Sequence, residues 1–176
     1  MKEIQIKVAK AKDYINIKEL YYEVTDALAH SKYSPGWIRD IYPTQEFIQD
    51  VIAKGEMYLC MKDEILVGCM VVNHDCNDGY HEIQWKTNAD PEEILVIHAL
   101  CVHPDFAGQG IAKEMVREVI RMAKANGIKS IRLDVLEGNL PAEKAYKSVG
   151  FQYLNTVKMF YEDTGWTGYE LYEFVV

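Results

Sequence analysis

Cysteine is scarce and scattered: four in 176 residues, at Cys60, Cys69, Cys76 and Cys101, with no C-x-x-C pair. Such spacing offers neither a common zinc ligand set nor a disulfide framework. Three of the four sit in apolar runs, Leu59-Cys60-Met61, Gly68-Cys69-Met70 and Leu100-Cys101-Val102, where a free thiol serves as a small buried hydrophobe. No apolar stretch approaches the length of a membrane span, so no membrane partner is expected. Met1 to Ile6 alternates apolar and polar residues and lacks the charged-then-apolar order of a secretory signal, which makes cytoplasmic the expected location. Basic residues are in deficit: 19 Lys and Arg stand against 27 Asp and Glu, for a net charge of −8. A nucleic-acid partner is therefore not expected, and cationic or neutral partners are favoured. Repeats, low-complexity tracts and linkers are missing too. With 49% hydrophobic and 26% charged residues the chain is a folding composition, and its length suits one domain over 1–176.

What is present reads as a mixed order of elements. Ile4, Ile6 and Val8 alternate with polar residues and predict a strand. Tyr14, Ile17, Leu20, Tyr21, Val24 and Leu28 predict a helix over about 12–29. Turn signals and aromatics fill 30–43, Thr44 can cap a second helix, and Gly55 can end it. Residues 57–61 and 65–72 read as a hairpin, 80–85 as a further strand, and 94–102 as a strand buried on both faces. A helix with the stripe Ile111, Met115, Val116, Val119, Ile120 and Ala123 follows. Then come a strand at 131–135, a short helix over 139–149, and strands at 151–160 and 169–176. This order suggests α+β or α/β with one central mixed sheet.

Chemistry concentrates at one junction. The strand ending at Val102 runs through His103-Pro104 into Ala107-Gly108-Gln109-Gly110-Ile111-Ala112 and then a helix. Glycines let backbone approach a ligand, and a helix N-terminus offers unpaired N–H groups to an anion. A nucleotide P-loop would need Gly-Lys-Ser/Thr, and a dinucleotide fingerprint would need a small residue where Lys113 stands, so neither fits. A phosphate cradle and an ordinary strand-to-helix turn both remain. A second pattern, Asn139-x-x-Ala142-x-x-x-Tyr146-x-x-x-Gly150-Phe151, opens with an N-cap residue. It sets Ala142 and Tyr146 on one helix face, as a ligand groove or as core packing.

Together the two patterns resemble the GNAT superfamily of acyl-CoA-dependent N-acetyltransferases, with the close match over about residues 94–151. The resemblance implies a single domain whose central, mostly antiparallel sheet is flanked by helices and splays at its middle strands to form an acetyl-CoA cleft. It implies that Leu100 and Val102 lie along the pantetheine arm. The amides of Gly108, Gln109, Gly110, Ile111 and Ala112 would hold the pyrophosphate. Asn139 would reach the arm beside Ala142, and Tyr146 would sit by the sulfur. Ala107 departs from the usual Arg or Gln at the first loop position, which removes a side-chain contact but no backbone N–H.

The implied reaction needs a neutral amine, an oxyanion donor and a proton for the departing thiolate. Tyr146 is protonated at neutral pH and can donate. For the base, His98 lies on the cleft strand and titrates near neutrality; a satisfied buried histidine is the competing reading, and Glu82 and Glu93 are lesser candidates. The run His98-Ala99-Leu100-Cys101-Val102-His103 also looks like the arylalkylamine N-acetyltransferase branch, in which this histidine removes a proton through water. His103 reads as a turn residue. His74, Cys76 and His81 match no common zinc spacing, so no metal is expected. The superfamily's first helices and loop form the acceptor wall, which makes Tyr21, Tyr33, Trp37 and also Trp85 candidate acceptor-binding residues; core packing is the alternative. Three functions stay open: a small-molecule amine acetyltransferase, a CoA-binding sensor without chemistry, and a protein N-terminal or lysine acetyltransferase. The strand at 169–176 could pair across a homodimer, and a monomer is equally compatible.

Overall fold

The computed structural model describes residues 4–176, so Met1 to Glu3 of the alternating N-terminus lie outside the described residues. The elements are β1 (Ile4–Val8), α1 (Tyr14–Leu28), α2 (Gln45–Ala53), β2 (Met57–Lys62), β3 (Ile65–Asn73), β4 (Ile94–Val102), α3 (Ile111–Ala125), β5 (Ser130–Leu136), α4 (Leu140–Ser148), β6 (Gln152–Tyr161) and β7 (Gly165–Val175). They build one seven-stranded mixed sheet in the order β1-β2-β3-β4-β5-β7-β6. Every neighbouring pair is antiparallel except β4 and β5.

Helices cover both faces, each held by the stripe its sequence carries. α1 buries Ile17, Leu20, Tyr21 and Val24, and α2 buries Ile48, Val51 and Ile52, over a core that includes Leu59, Cys69 and Val71. The Thr44 hydroxyl accepts from the Phe47 N–H at 3.0 Å and so starts α2. α3 buries Ile111, Met115, Val116, Val119 and Ala123 against Val67, Met70, Val72 and Leu133 on the opposite side. A third core under residues 78–85 joins Tyr80 to Val96, Met159 and Leu171.

Three expectations are corrected. Residues 80–85 are not a strand: Asn77 accepts from the Gly79 N–H at 3.0 Å and a 3₁₀ turn spans Asp78–Glu82, burying Tyr80. Side-chain capping of the Asn-Asp-Gly turn outweighs the short alternation. β7 begins at Gly165, four residues earlier than expected, because it pairs with β6 along a long hairpin. β4 is not buried throughout, since His98, Leu100 and Val102 are only half-buried.

The reason lies in how β4 ends. It pairs with β5 only at Ile94, Leu95 and Val96. Beyond Val96, β5 continues with β7 alone, and the β5-facing edge of β4 has no strand partner. On its other edge β4 carries a bulge: Val71 pairs with His98 and Cys69 with Cys101, so two residues, Ala99 and Leu100, oppose Met70 alone. Ala99 takes the left-handed conformation, φ 47°, which a residue with a Cβ rarely adopts and which bends the strand. The sheet opens at this point into a V.

Candidate active site

Two connected cavities fill the V. The larger, about 660 Å³, runs from the loop before α3 along β4 to α4. The smaller, about 120 Å³, lies deeper, among β4, β5 and the β6–β7 hairpin. Trp37, Leu100, Asn139, Ala142 and Tyr146 line both and mark where they meet.

The outer end of the large cavity is a backbone cradle. Gly108 and Gly110 have φ of 75° and 80°, and a Cβ at either would meet no atom within 4 Å, so their conformation rather than crowding calls for glycine. Gly110 caps α3 with no side-chain hydrogen bond among the described residues. The first-turn N–H groups therefore have no side-chain acceptor, at the positive end of a fifteen-residue helix. Lys113 and Lys144 also line this cavity and add positive charge; no spacing in the sequence marks either as a ligand contact. Asn139 caps α4 by position only: its side chain makes no capping bond and stays available to a ligand. A thin ligand with a polar arm and an anionic end fits these features.

At the junction, Tyr146 rests its ring on Phe151 at 5.8 Å. Its hydroxyl has no hydrogen-bond partner among the described residues. Burial, then the Asp134 charge, pushes its phenol above the ordinary range, so it holds its proton firmly.

The small cavity holds the titratable groups. His98 lines it, and His98 Nε2 lies 2.9 Å from Asn73 Oδ1. The amide orientation of Asn73 follows from its other partners: its Nδ2 donates to Glu56 at 3.0 Å and its Oδ1 accepts from the Asp75 N–H at 3.1 Å. Oδ1 can only accept, so Nε2 carries the hydrogen and the neutral ring keeps its lone pair on Nδ1. Burial holds the His98 pKa below its ordinary value; Asp134, Asp75 and Glu56 pull weakly the other way.

Asp134, from β5, was not singled out by the sequence, where it sits in ordinary alternation. The hydroxyls of Tyr80 (2.7 Å) and Tyr161 (2.9 Å) both donate to its Oδ2. Its Oδ1 accepts no hydrogen bond among the described residues, and the residue lines the small cavity. Burial raises its pKa, against the lowering effect of those hydroxyls and of His98. The arrangement can hold an ammonium, receive its proton and protonate a leaving group.

Residues 18–151 match the model of the acetyltransferase (GNAT) family. The chain belongs to this family. A thialysine N-epsilon-acetyltransferase from Bos taurus is 26% identical over 93% of this chain and 89% of its own length. An uncharacterized N-acetyltransferase from Methanocaldococcus jannaschii is 34% identical over 48% of this chain, which spans about a third (34%) of that protein's length. Among solved structures, a GNAT-family acetyltransferase from Streptococcus agalactiae superposes with a TM-score of 0.83 at 22% identity, covering 98% of this chain and 95% of that one.

Within this member of the GNAT family the sequence-derived residues divide. Leu100, Val102, Ala107, Gly108, Gly110, Ile111, Ala112, Asn139, Ala142 and Tyr146 line the large cavity. The Gln109 side chain turns away to Lys62 Nζ (2.9 Å), which leaves only its backbone for a ligand. Tyr33 lines the large cavity rather than the small one, while Trp37 lines both. Tyr21 lines neither: it is buried under Trp37 and donates to the Ala99 carbonyl. Trp85 lines neither: its indole N–H donates to Tyr80 O at 2.8 Å and its ring lies 4.3 Å under the Arg132 guanidinium. Glu82 and Glu93 are away from both cavities, and Glu93 pairs with Lys129 at 2.7 Å. His103 sits in the turn, its Nδ1 accepting from the Asp105 N–H and its Nε2 2.7 Å from Glu23.

Proposed function

We propose that this protein transfers an acetyl group from acetyl-CoA to the primary amine of a small molecule by direct attack. The observation that supports it is the meeting of two unlike cavities at Tyr146: a long one ending in unpaired amides and lysines, and a small acidic one. Acetyl-CoA, when bound, supplies the activated thioester. The amides of 108–113 bind its pyrophosphate, the free edge of β4 accompanies the pantetheine arm, and Asn139 hydrogen-bonds it. An N–H of that edge polarises the acyl carbonyl.

The acceptor amine enters as an ammonium, because aliphatic ammonium groups have a pKa of roughly 10. Asp134 Oδ1 attracts it. His98 Nδ1, neutral at physiological pH because burial depresses its pKa, accepts its proton. The Tyr146 hydroxyl donates to the departing sulfur. The narrowness of the acceptor chamber, walled by Trp37 and Tyr42, favours a slender small molecule over a folded protein surface. The bovine relative's name, which specifies the Nε amine of thialysine, supports a side-chain amine as acceptor.

Incubating the protein with acetyl-CoA and a panel of amines, with free thiol as readout, tests this. Thiol release that requires an amine is the expected result. Binding of acetyl-CoA without release for any amine would establish the sensor reading instead.

A further inference from the structure

Asn73 ends β3, an otherwise apolar strand, and is buried. Burying an amide is costly unless its polar atoms are paired, and both are. Oδ1 accepts from the Asp75 N–H at 3.1 Å and lies 2.9 Å from His98 Nε2, while Nδ2 donates to Glu56 Oε2 at 3.0 Å. Glu56 is itself fixed against β3: its carbonyl accepts from the Val72 N–H at 2.9 Å, and its own N–H donates to the Val51 carbonyl at 2.9 Å. An ionised carboxylate can only accept, so Glu56 dictates which end of the amide turns to His98. Asn73 lines neither cavity and therefore touches neither acceptor nor cofactor.

The chain Glu56–Asn73–His98 has a direction. An amide oxygen has no hydrogen to give, so the hydrogen between Asn73 and His98 belongs to Nε2. It stays there, and a proton that Nδ1 takes from an amine leaves through Nδ1 again. Burial is the larger influence on His98 and disfavours its charged form, whereas Asp134 on β5, Asp75 after β3 and Glu56 after α2 favour it. Asp163, Tyr42, Tyr146, Tyr161 and Tyr169 are the other titratable residues lining the cavity that His98 faces.

Resting on the acetyl-transfer reading above, we infer that Asn73 is the positioning residue of the base: Glu56 orients its amide, and the amide oxygen holds the Nε2–H of His98 so that Nδ1 is left to take the proton of the acceptor amine.

Two variants push His98 in opposite directions. Asn73→Leu is close in volume and removes the acceptor. A hydrogen bond from Nε2–H supports the charged ring more than the neutral one. Its loss should move the acid limb of kcat/KM to lower pH and reduce kcat by roughly tenfold to a hundredfold, the scale of a misplaced catalytic group, with KM for acetyl-CoA unchanged. Asn73→Asp combined with Glu56→Gln keeps a hydrogen bond between the two positions, with donor and acceptor exchanged, and carries the negative charge from position 56 to the atom beside Nε2. Net charge equals that of wild type. Here the limb should move up by roughly one to three pH units, and kcat at high pH should stay near the wild-type value. Limbs that shift in the same direction in both variants, or in neither, make Asn73 a packing residue and overturn the inference. The charge-swapped pair retains the bonds to His98 and the Asp75 N–H, so it gives the answer even where Asn73→Leu does not fold. Nitrogen NMR reads the same ring without turnover, and its titration midpoint should rise in the pair and fall in Asn73→Leu. If no amine is acetylated, the acetyl-transfer reading fails, and this titration still decides whether Asn73 governs the ring: midpoints equal to that of wild type overturn it.

Discussion

The Tyr21 hydroxyl donates to the Ala99 carbonyl at 2.7 Å, joining the buried face of α1 to the bulge at which β4 leaves β5. The bond holds a non-glycine residue in the left-handed region. It also explains why an aromatic residue outside both cavities matters to them.

Tyr21→Phe keeps the ring against Trp37 and removes the donor that the Ala99 carbonyl accepts from. A loss of about 1–3 kcal/mol is expected in chemical denaturation. Because the bulge sets the positions of both His98 and Leu100, kcat should also fall, and wild-type kcat in a folded variant would disconnect the bulge from the site.

His98 should govern the acid limb of kcat/KM. Burial lowers its pKa from 6.5, so the ring stays a competent base below that value and the limb should fall under pH 6.5. The same shift affects stability: His98 favours the fold fully above the unfolded value, and this contribution is lost as pH falls from 6.5 through the folded pKa. His98→Ala should flatten the limb. Nitrogen NMR of wild type should find the hydrogen on Nε2; an Nδ1–H tautomer would contradict the Asn73 geometry.

Asp134→Asn should separate stability from activity. The folded pKa of Asp134 is raised, so its charge disfavours the fold above that pKa and has no such effect below the unfolded value near 3.8. Asn can still accept from both Tyr80 and Tyr161. At pH 7 the variant should gain roughly 2–4 °C in Tm per kcal/mol recovered, and the gain should shrink on acidification. Meanwhile kcat/KM should drop tenfold or more, since the ammonium loses its counter-charge. An unchanged kcat/KM would remove Asp134 from acceptor binding.

Tyr146→Phe should lower kcat by roughly tenfold to a thousandfold, a little below to within the usual span for one positioned acid. The removed hydroxyl leaves no protein partner unpaired, so thermal stability and acetyl-CoA affinity should hold. Single-turnover transfer at the wild-type rate would make Tyr146 a packing residue, and this measurement keeps slow product release from masking chemistry.

Ala112→Glu places a carboxylate in the first turn of α3, beside the amide cradle. A helix start tolerates the acidic residue, so the fold should survive while like charge weakens acetyl-CoA binding. Calorimetry checks it, and wild-type affinity would move the pyrophosphate elsewhere.

The lining of the large cavity was legible in the residues because its specification is local. Two glycines that need positive φ, a helix beginning immediately after them, and Asn139, Ala142 and Tyr146 at helical spacing encode a backbone cradle and a groove within short segments. Burial stripes likewise predicted α1 to α3 and most strands. The small cavity was decided only in three dimensions. Asp134 alternates between Leu133 and Val135 like any strand residue. It meets His98 and the aromatic side chains of the small cavity only where β5 and the β6–β7 hairpin come together. The bulge at Ala99 is of the same kind. Uninterrupted alternation would align His98, Leu100 and Val102 on one face. The extra residue instead sets His98 opposite Val71, where it lines the small cavity, while Leu100 and Val102 pack toward α3. Whether a strand residue faces the small cavity or the large one depends on that pairing register, and long-range pairing is what spacing along a chain does not encode.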